Sequence, residues 1–207
     1  MTGRGEAPSW LDVSRETLAR LDAFLALVEK WQPTINLIAN GTLPTAWERH
    51  VLDSAQLFAH CPQSAKSWAD FGSGGGFPGI VIAVIASEMR PDLRVTLVES
   101  DKRKGAFLMQ AARQLDLDIK LITDRAETIP PLCADVVSAR ALAPLEDLCA
   151  LAHRHLAPGG IAIFPKGAQA EAELGLARNA WNFDTTLLHS HTDAAARIVI
   201  IKNLHHA

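Results

Sequence analysis

The 207-residue chain has few cysteines, no long hydrophobic run and no excess of positive charge. Its three cysteines, Cys61, Cys133 and Cys149, are widely spaced, which argues against a disulfide framework or a zinc site and for a reducing cytoplasm. The apolar run at residues 80–86 is far shorter than the ~20 residues that span a bilayer, and residues 1–8 lack the apolar core of a signal peptide. The net charge of −3 gives no global sign of a nucleic-acid partner.

The composition is that of a folded globular protein. Hydrophobic residues make up 48% of the chain and charged residues 21%, which excludes a disordered chain. At ~100–200 residues per domain, the length fits one full domain with at most a small appendage.

The first sixty residues show helical patterns. Ser14 is predicted to cap a helix whose apolar positions recur every three or four residues, and Pro33 is predicted to end that helix near Trp31. Thr45 and Glu48 have the spacing of a capping box, which predicts a second helix after Thr45.

From residue 67, short apolar runs alternate with helical patterns. Strands are predicted at 68–71, 95–99, 119–123, 135–139 and 161–164. Helices are predicted between them at 78–87, 102–115, 145–155 and 169–181. The last two strands, 183–189 and 197–202, have no helix between them and are predicted to form a hairpin. The pattern therefore predicts an α/β fold with a mostly parallel sheet.

A glycine-rich loop follows the first predicted strand. Residues 72–79 contain five glycines, among them the pattern Gly-x-Gly-x-x-Gly at 74–79, and a helix is predicted to begin there. Glu99 lies ~20 residues further on, at the end of the second strand, where a ribose-binding acid is expected. Two cofactor classes use this layout, NAD(P) and S-adenosylmethionine (SAM).

Asp70 favours SAM, because an acid two residues before the first glycine is typical of methyltransferase loops. A carboxylate there helps to hold the cationic amino-acid end of SAM, whereas it would repel a pyrophosphate. We therefore expect Asp70, Gly72, Gly74 and Glu99 to bind SAM.

Several further segments carry a resemblance to a known family. They are ERHVLDS at 48–54, DFGSGGGFPGI at 70–80, SARALA at 138–143 and Lys166-Gly167. With these segments the chain resembles the RsmG (GidB) 16S rRNA guanine-N7 methyltransferases, from about Trp31 to the end of the sheet. It departs from them at Gln32-Pro33, where the family usually has Asn.

The resemblance implies a class I SAM-dependent methyltransferase (Rossmann-like) fold in residues 63–207, with a seven-stranded sheet whose C-terminal strand is antiparallel. Residues 1–62 would form an N-terminal helical extension. The SAM contacts carried over from the family are Gly72, Phe77, Ala126, Glu127 and Arg140.

The implied reaction is methylation of N7 of a specific guanosine in the decoding-region loop of 16S rRNA. Arg140 is expected to orient the reactants without a general base, because N7 carries a lone pair and no proton. The chain also lacks the Asp/Asn-Pro-Pro-aromatic tetrad of amino-directed enzymes, and Cys133 and Cys149 are interpreted as core residues rather than nucleophiles.

Five residues are candidates for contact with the RNA: Arg49, His50, Lys102, Arg103 and Lys166. Packing for His50 and a solvated helix face for residues 102–104 remain alternatives. We expect no metal and no membrane, and a cytoplasmic monomer acting on 16S rRNA, free or in a partly assembled small subunit. A small-molecule SAM methyltransferase, a nicotinamide-dependent oxidoreductase and an inactive SAM-binding regulatory module remain open as alternatives.

Overall fold

The computed structural model describes residues 7–207, so predictions that concern residues 1–6 lie outside the described residues. Six α-helical segments are α1 Arg15–Trp31, α2 Asp53–Ala55, α3 Gly79–Met89, α4 Lys102–Gln114, α5 Leu145–His155 and α6 Ala170–Ala177. Seven strands are β1 Ser67–Phe71, β2 Arg94–Val98, β3 Ile119–Ile122, β4 Ala134–Ala139, β5 Leu156–Lys166, β6 Trp181–His189 and β7 Arg197–His206. None of the helices in this part of the chain is both long and apolar enough to cross a bilayer.

The strands form one sheet in the order β3-β2-β1-β4-β5-β7-β6. Strands β1 to β5 pair in parallel, and β7 runs antiparallel to both of its neighbours. The predicted seven-stranded, mostly parallel sheet with an antiparallel C-terminal strand is therefore confirmed.

Helices cover both faces of the sheet. Neighbouring side chains of a strand point to opposite faces, and apolar side chains on both faces need a covering helix. Trp68 and Val136 belong to one buried cluster together with apolar residues of α1, α3 and α4. Ala69 and Val137 belong to a second cluster with residues of α5 and α6. The strands are consequently apolar on both faces, as expected for a covered parallel sheet.

The N-terminal prediction is confirmed for α1; helical structure also follows Thr45, through Trp47–Leu52, Asp53–Ala55 and Gln56–His60, but the predicted cap is wrong. The Ser14 side chain accepts a hydrogen bond from the Thr17 backbone N–H and caps α1. Thr45 caps nothing, because it already lies in a 3-10 helix, Asn40–Thr45. The next residues form a π-helix, Trp47–Leu52, before α2.

Three C-terminal details also differ from the sequence prediction. Helix α6 ends at Ala177 rather than near Trp181, and Trp181 instead opens β6. Strand β7 extends to His206.

Cys149 is buried as predicted, but the prediction for Cys133 is wrong, since it is exposed on a loop with φ +51°.

Candidate cofactor and substrate site

The candidate site lies where β1 and β4 are neighbours at the centre of the sheet. From β1 the chain continues outward through β2 to β3, and from β4 it continues the other way to β5. Open α/β sheets bind ligands at such a switch point, beyond the carboxyl ends of the strands. The glycine-rich loop follows β1 and Arg140 follows β4, so both lie at this edge.

Asp70, the penultimate residue of β1, is completely buried beneath the glycine-rich loop. One carboxylate oxygen accepts a hydrogen bond from the Ser138 hydroxyl at 2.7 Å, and the other accepts from the Gly79 backbone N–H at 3.2 Å. Burial raises the pKa of the Asp70 carboxyl group to about 6 against the effect of these hydrogen bonds. Asp70 therefore ties β1 to α3 and β4, and the expected contact with a cofactor amine stays a prediction.

Gly72 begins the loop with φ +62°, a conformation that side chains disfavour. A Cβ atom there would lie 2.6 Å from Cδ1 of Leu142. Leu142 is 42% exposed and follows Arg140 closely in the chain. The backbone of Gly72 and the side chain of Leu142 therefore form two adjoining walls, and the positive φ favours glycine at position 72.

Glu99 follows β2 and holds its carboxylate against the loop. Oε2 accepts a hydrogen bond from the Gly74 N–H at 2.7 Å, and Oε1 accepts from the Asp101 N–H at 2.8 Å. The side chain is fixed by two backbone donors, and each oxygen retains a further lone pair. Glu99 can therefore accept from the two hydroxyls of a ribose, as the sequence predicts.

The loop between β3 and β4 places Ala126 and Glu127 at the same edge of the sheet. Ala126 is buried, and its carbonyl oxygen accepts a hydrogen bond from His155 Nε2 at 2.8 Å. The Glu127 side chain is exposed and lies 3.5 Å from Arg125. Ala126 is thus the fixed member of the pair.

Arg140 lies in a cluster that joins the N-terminal region to the glycine-rich loop. Its Nη1 lies 2.9 Å from His50 Nδ1, 3.2 Å from the Arg49 carbonyl oxygen and 3.5 Å from Asp53 Oδ2. Its Cζ lies 5.2 Å from the ring centre of Phe77, within reach of a cation–π contact. The structure therefore brings five residues of the motifs at 48–54, 70–80 and 138–143 into contact.

His50 is neutral, and its tautomer follows from its partners. Arginine only donates, so Nδ1 of His50 accepts from Arg140, and Nε2–H donates to the Thr42 hydroxyl at 2.7 Å. The Thr42 hydroxyl in turn donates to the Ala39 carbonyl at 2.7 Å. Burial, followed by the charges of Arg140 and Arg49, lowers the pKa of His50 to about 4. The imidazole orients Arg140 and has no free basic nitrogen.

Two nitrogens of Arg140 remain available for a ligand. The hydrogen bonds that it makes to the residues in 7–207 all involve Nη1, which leaves Nε and Nη2 unpaired within that range. Burial lowers the pKa of the guanidinium, but the nearby carboxylate of Asp53 opposes this shift. Arg140 also lines a polar cavity of about 300 Å³, whose walls include Asp53, Lys166 and Thr192.

Lys166 is paired within the protein. Its Nζ lies 2.6 Å from Glu173 Oε2 and donates to the Ala143 carbonyl at 3.1 Å. Lys166 also lines the cavity, so the predicted contact with substrate or phosphate stays a prediction, made by a lysine that is already paired. Arg49 has a 57% exposed side chain and lies 3.9 Å from Asp193, a pairing too open to hold it.

Lys102 and Arg103 are exposed on the first turn of α4. They follow Glu99 by three and four residues in the chain. The Asp101 side chain caps this helix by accepting from the N–H groups of Arg103 and Lys104. The two basic residues therefore lie at the carboxyl edge of β2, but the structure shows no contact between them and the Arg140 cluster.

Two residues of this region were not predicted. Gln32, at the departure from the family pattern, is buried and orders residues 32–40: its Oε1 accepts from the N–H groups of Leu37 and Ile38. Asp53 links Arg140 to the β6–β7 connection, because Oδ1 accepts from Gln56 and Thr192. Asp53 lies within the motif at 48–54, which was the available signal. In residues 7–207, no group of three or more potential ligands could hold a metal ion.

Comparisons with known proteins match this geometry. The family model for rRNA small subunit methyltransferase G (GidB) matches residues 17–199. A Cereibacter sphaeroides protein named ribosomal RNA small subunit methyltransferase G is 52% identical over 196 residues, 95% of this chain and 95% of that protein. A Ruegeria protein of the same name is 46% identical over 202 residues, 98% of this chain and 97% of that protein.

Solved structures with the same fold include a SAM-dependent methyltransferase from Aquifex aeolicus, with a TM-score of 0.61 and 11% identity over 86% of this chain and 97% of that chain. An O-methyltransferase from Bacillus cereus, solved in complex with S-adenosylhomocysteine (SAH), gives a TM-score of 0.59 and 14% identity over 89% and 91% of the two chains. These likenesses confirm the predicted class I methyltransferase fold.

Proposed function

Because the chain belongs to the family of rRNA small subunit methyltransferase G, we propose that it uses SAM to methylate N7 of one guanosine in the decoding-region loop of 16S rRNA. The family name supports a methyltransferase whose substrate is RNA of the small ribosomal subunit. The N7 position and the loop rest on the motif resemblance. We further propose a cytoplasmic monomer that acts on 16S rRNA, free or in a partly assembled small subunit.

The observation that carries this proposal is the position of Arg140. It lies between Phe77 of the glycine-rich loop and a polar cavity, and it offers two unpaired nitrogens, Nε and Nη2. A guanidinium can donate to the O6 of guanine or to the carboxylate of the cofactor. The cavity would hold the target base, while the walls formed by Gly72 and Leu142 would border the cofactor.

The cofactor cleft fits SAM on the residues present. Glu99 offers lone pairs for a ribose diol, and the close approach at Gly72 leaves backbone rather than side chain against the ligand. When bound, SAM supplies an electrophilic methyl group on a sulfonium sulfur. We propose that Ala126 and Glu127 border the adenine.

The reaction requires little from the protein beyond alignment of guanine N7 with the methyl group. Guanine N7 has an in-plane lone pair and no proton, so the N7–carbon bond forms as the carbon–sulfur bond breaks, with the electron pair passing to sulfur. The positive charge moves into the base. Arg140 and Asp53 together carry no net charge, so they orient the base without opposing that charge.

The direct test is methylation with tritiated SAM of small subunits, free 16S rRNA and a metabolite extract. We expect incorporation into one guanosine of the rRNA and none into the extract. An RNA carrying 7-deazaguanosine at the mapped position lacks the N7 atom and should receive no methyl group. Methylation of that RNA, or of metabolites instead of rRNA, would overturn the proposal.

Replacement of Glu99 by alanine should weaken SAM binding by about 1–3 kcal/mol, because it removes the acceptors for the ribose and strands the Gly74 N–H. Isothermal calorimetry with SAM and with NAD provides the measurement. Glu171→Ala, which removes an exposed carboxylate on α6 outside the site, is the matched control and should leave SAM binding unchanged. Tighter binding of NAD than of SAM would contradict the cofactor assignment.

Charge reversal at Lys102 and Arg103 should weaken RNA binding and reduce the dependence of affinity on salt, because each phosphate contact releases a counterion. SAM affinity should stay unchanged. The double variant Arg94→Glu/Lys202→Glu makes the same change in net charge at exposed positions away from the carboxyl edge. Equal salt slopes for the two double variants would show that Lys102 and Arg103 form only a solvated helix face.

A further inference from the structure

The loop that carries Ala126 and Glu127 has no regular structure of its own. Strand β3 ends at Ile122 and β4 begins at Ala134, and neither a helix nor a strand lies between them. A segment of this kind needs partners outside itself to hold one conformation, because the entropy of ordering the backbone is about 1–2 kcal/mol per residue. The proposed function places the adenine of the cofactor against this loop.

The last turn of α5 supplies those partners. His155 Nε2 lies 2.8 Å from the Ala126 carbonyl oxygen, and the Leu132 N–H donates to His155 Nδ1 at 3.3 Å. The neighbouring Arg154 donates from Nη2 to the Ile129 carbonyl at 2.8 Å. Two consecutive residues of one helix therefore hold the loop at three backbone positions.

The partners of His155 define its protonation state. A carbonyl oxygen only accepts and a backbone N–H only donates, so Nε2 carries the proton and Nδ1 is the acceptor. The residue is completely buried, and its ring lies 4.9 Å from that of Phe71. Burial lowers the pKa of His155, which favours this neutral form. An apolar residue of similar size would pack in the same space but would leave the Ala126 carbonyl and the Leu132 N–H unpaired.

From these contacts, and resting on the proposed function, we infer that His155 is a positioning residue for the nucleoside end of the cofactor. It acts through the Ala126 carbonyl, which fixes the part of the loop that faces the adenine. It touches neither the transferred methyl group nor the RNA. Helix α5 begins five residues after Arg140 and ends at His155. One helix therefore connects the segment that carries Arg140 to the residue that holds the β3–β4 loop.

Two isosteric variants separate the two hydrogen bonds. Glutamine can place an N–H near the position of Nε2 and so keep the bond to Ala126, whereas asparagine can place an oxygen near Nδ1 and keep only the bond to Leu132. We expect His155→Asn to raise the dissociation constant of SAH at least about tenfold, and His155→Gln to rescue most of that loss. The kcat at saturating SAM and the affinity for RNA should change less than about twofold, while the KM for SAM rises.

The ligand probes are SAH and 5′-methylthioadenosine, which has the nucleoside but no amino-acid end. The inference requires the same fold-loss for both ligands in His155→Asn. Leu148→Ala, a core truncation on the same helix, is the control for general destabilisation and should lower the melting temperature without selectively weakening either ligand. If His155→Asn does not fold, Arg154→Leu is the second variant. It removes the exposed one of the two α5 residues that hold the loop, and it should weaken the binding of both ligands about threefold.

Three outcomes would each overturn the inference. The first is wild-type affinity for SAH in His155→Asn, and the second is a loss of affinity for SAH but not for 5′-methylthioadenosine. The third is an equal loss of affinity in Leu148→Ala at equal stability. Failure of the wild-type protein to bind SAH would instead contradict the proposed function and, with it, this inference.

Discussion

Replacement of Arg140 by alanine should lower the single-turnover rate of methylation at saturating SAM and RNA by at least about 100-fold. The guanidinium is held by the His50 nitrogen, the Arg49 carbonyl and the Asp53 carboxylate, with the Phe77 ring beneath it. Its loss removes the donors that align the reactants and leaves Asp53 as an uncompensated, largely buried charge.

Two further variants interpret that result. Arg140→Lys keeps the charge but not the planar fork, so it should restore little activity if geometry is what matters. Arg49→Ala removes a nearby exposed guanidinium and should change the rate far less. Near-wild-type rates for Arg140→Ala with RNA and SAM both saturating would show that Arg140 contributes to binding alone.

The pH profile of the same single-turnover rate tests whether a proton must be removed. His50, with a pKa of about 4, and Asp70, with a pKa of about 6, are both in their basic forms above pH 7. The rate should therefore be flat between roughly pH 7 and 9. A rise with a histidine-like pKa that disappears in His50→Gln would contradict direct attack and indicate a methylated atom other than N7.

The sheet and the position of the site could be predicted because both follow from local patterns. Alternation of apolar runs with helical patterns specifies parallel strands, and the ends of β1, β2 and β4 then place Gly72, Glu99 and Arg140 at one edge. Failures occurred where the structure depends on neighbours in space. The capping-box spacing at Thr45 did not produce a cap, since residues 40–45 already form a 3-10 helix.

Side-chain partnerships were beyond the reach of the sequence for a related reason. The motif predicts that Asp70 binds the cofactor, but it does not predict that the carboxylate accepts hydrogen bonds from Ser138 and Gly79. The position of Lys166 after β5 predicts contact with the substrate, but it does not predict the ion pair with Glu173 on α6. His155 lies in no sequence motif, and only the tertiary fold brings it to the Ala126 carbonyl.

Replacement of Gly76 by alanine should lower the free energy of unfolding by roughly 2–4 kcal/mol. The residue has φ +88°, where an L side chain is strained, and a Cβ atom would lie 2.7 Å from Cζ of Phe24 and 2.8 Å from Cγ1 of Ile80. Both neighbours are fully buried, so neither can move aside into solvent. The cost is the sum of backbone strain and overpacking, and chemical denaturation with urea measures it.

Gly175→Ala is the matched control, because the identical chemical change should have the opposite sign. Gly175 lies inside α6 with no atom within 4 Å of a built Cβ, so alanine should stabilise the helix by about 0.5–1 kcal/mol. Equal effects of the two substitutions would mean that the glycine-rich loop does not hold Gly76 against Phe24 as the structure shows. Because Phe24 belongs to α1, part of the loss in Gly76→Ala would come from the contact between the N-terminal region and the loop on which the cofactor is proposed to lie.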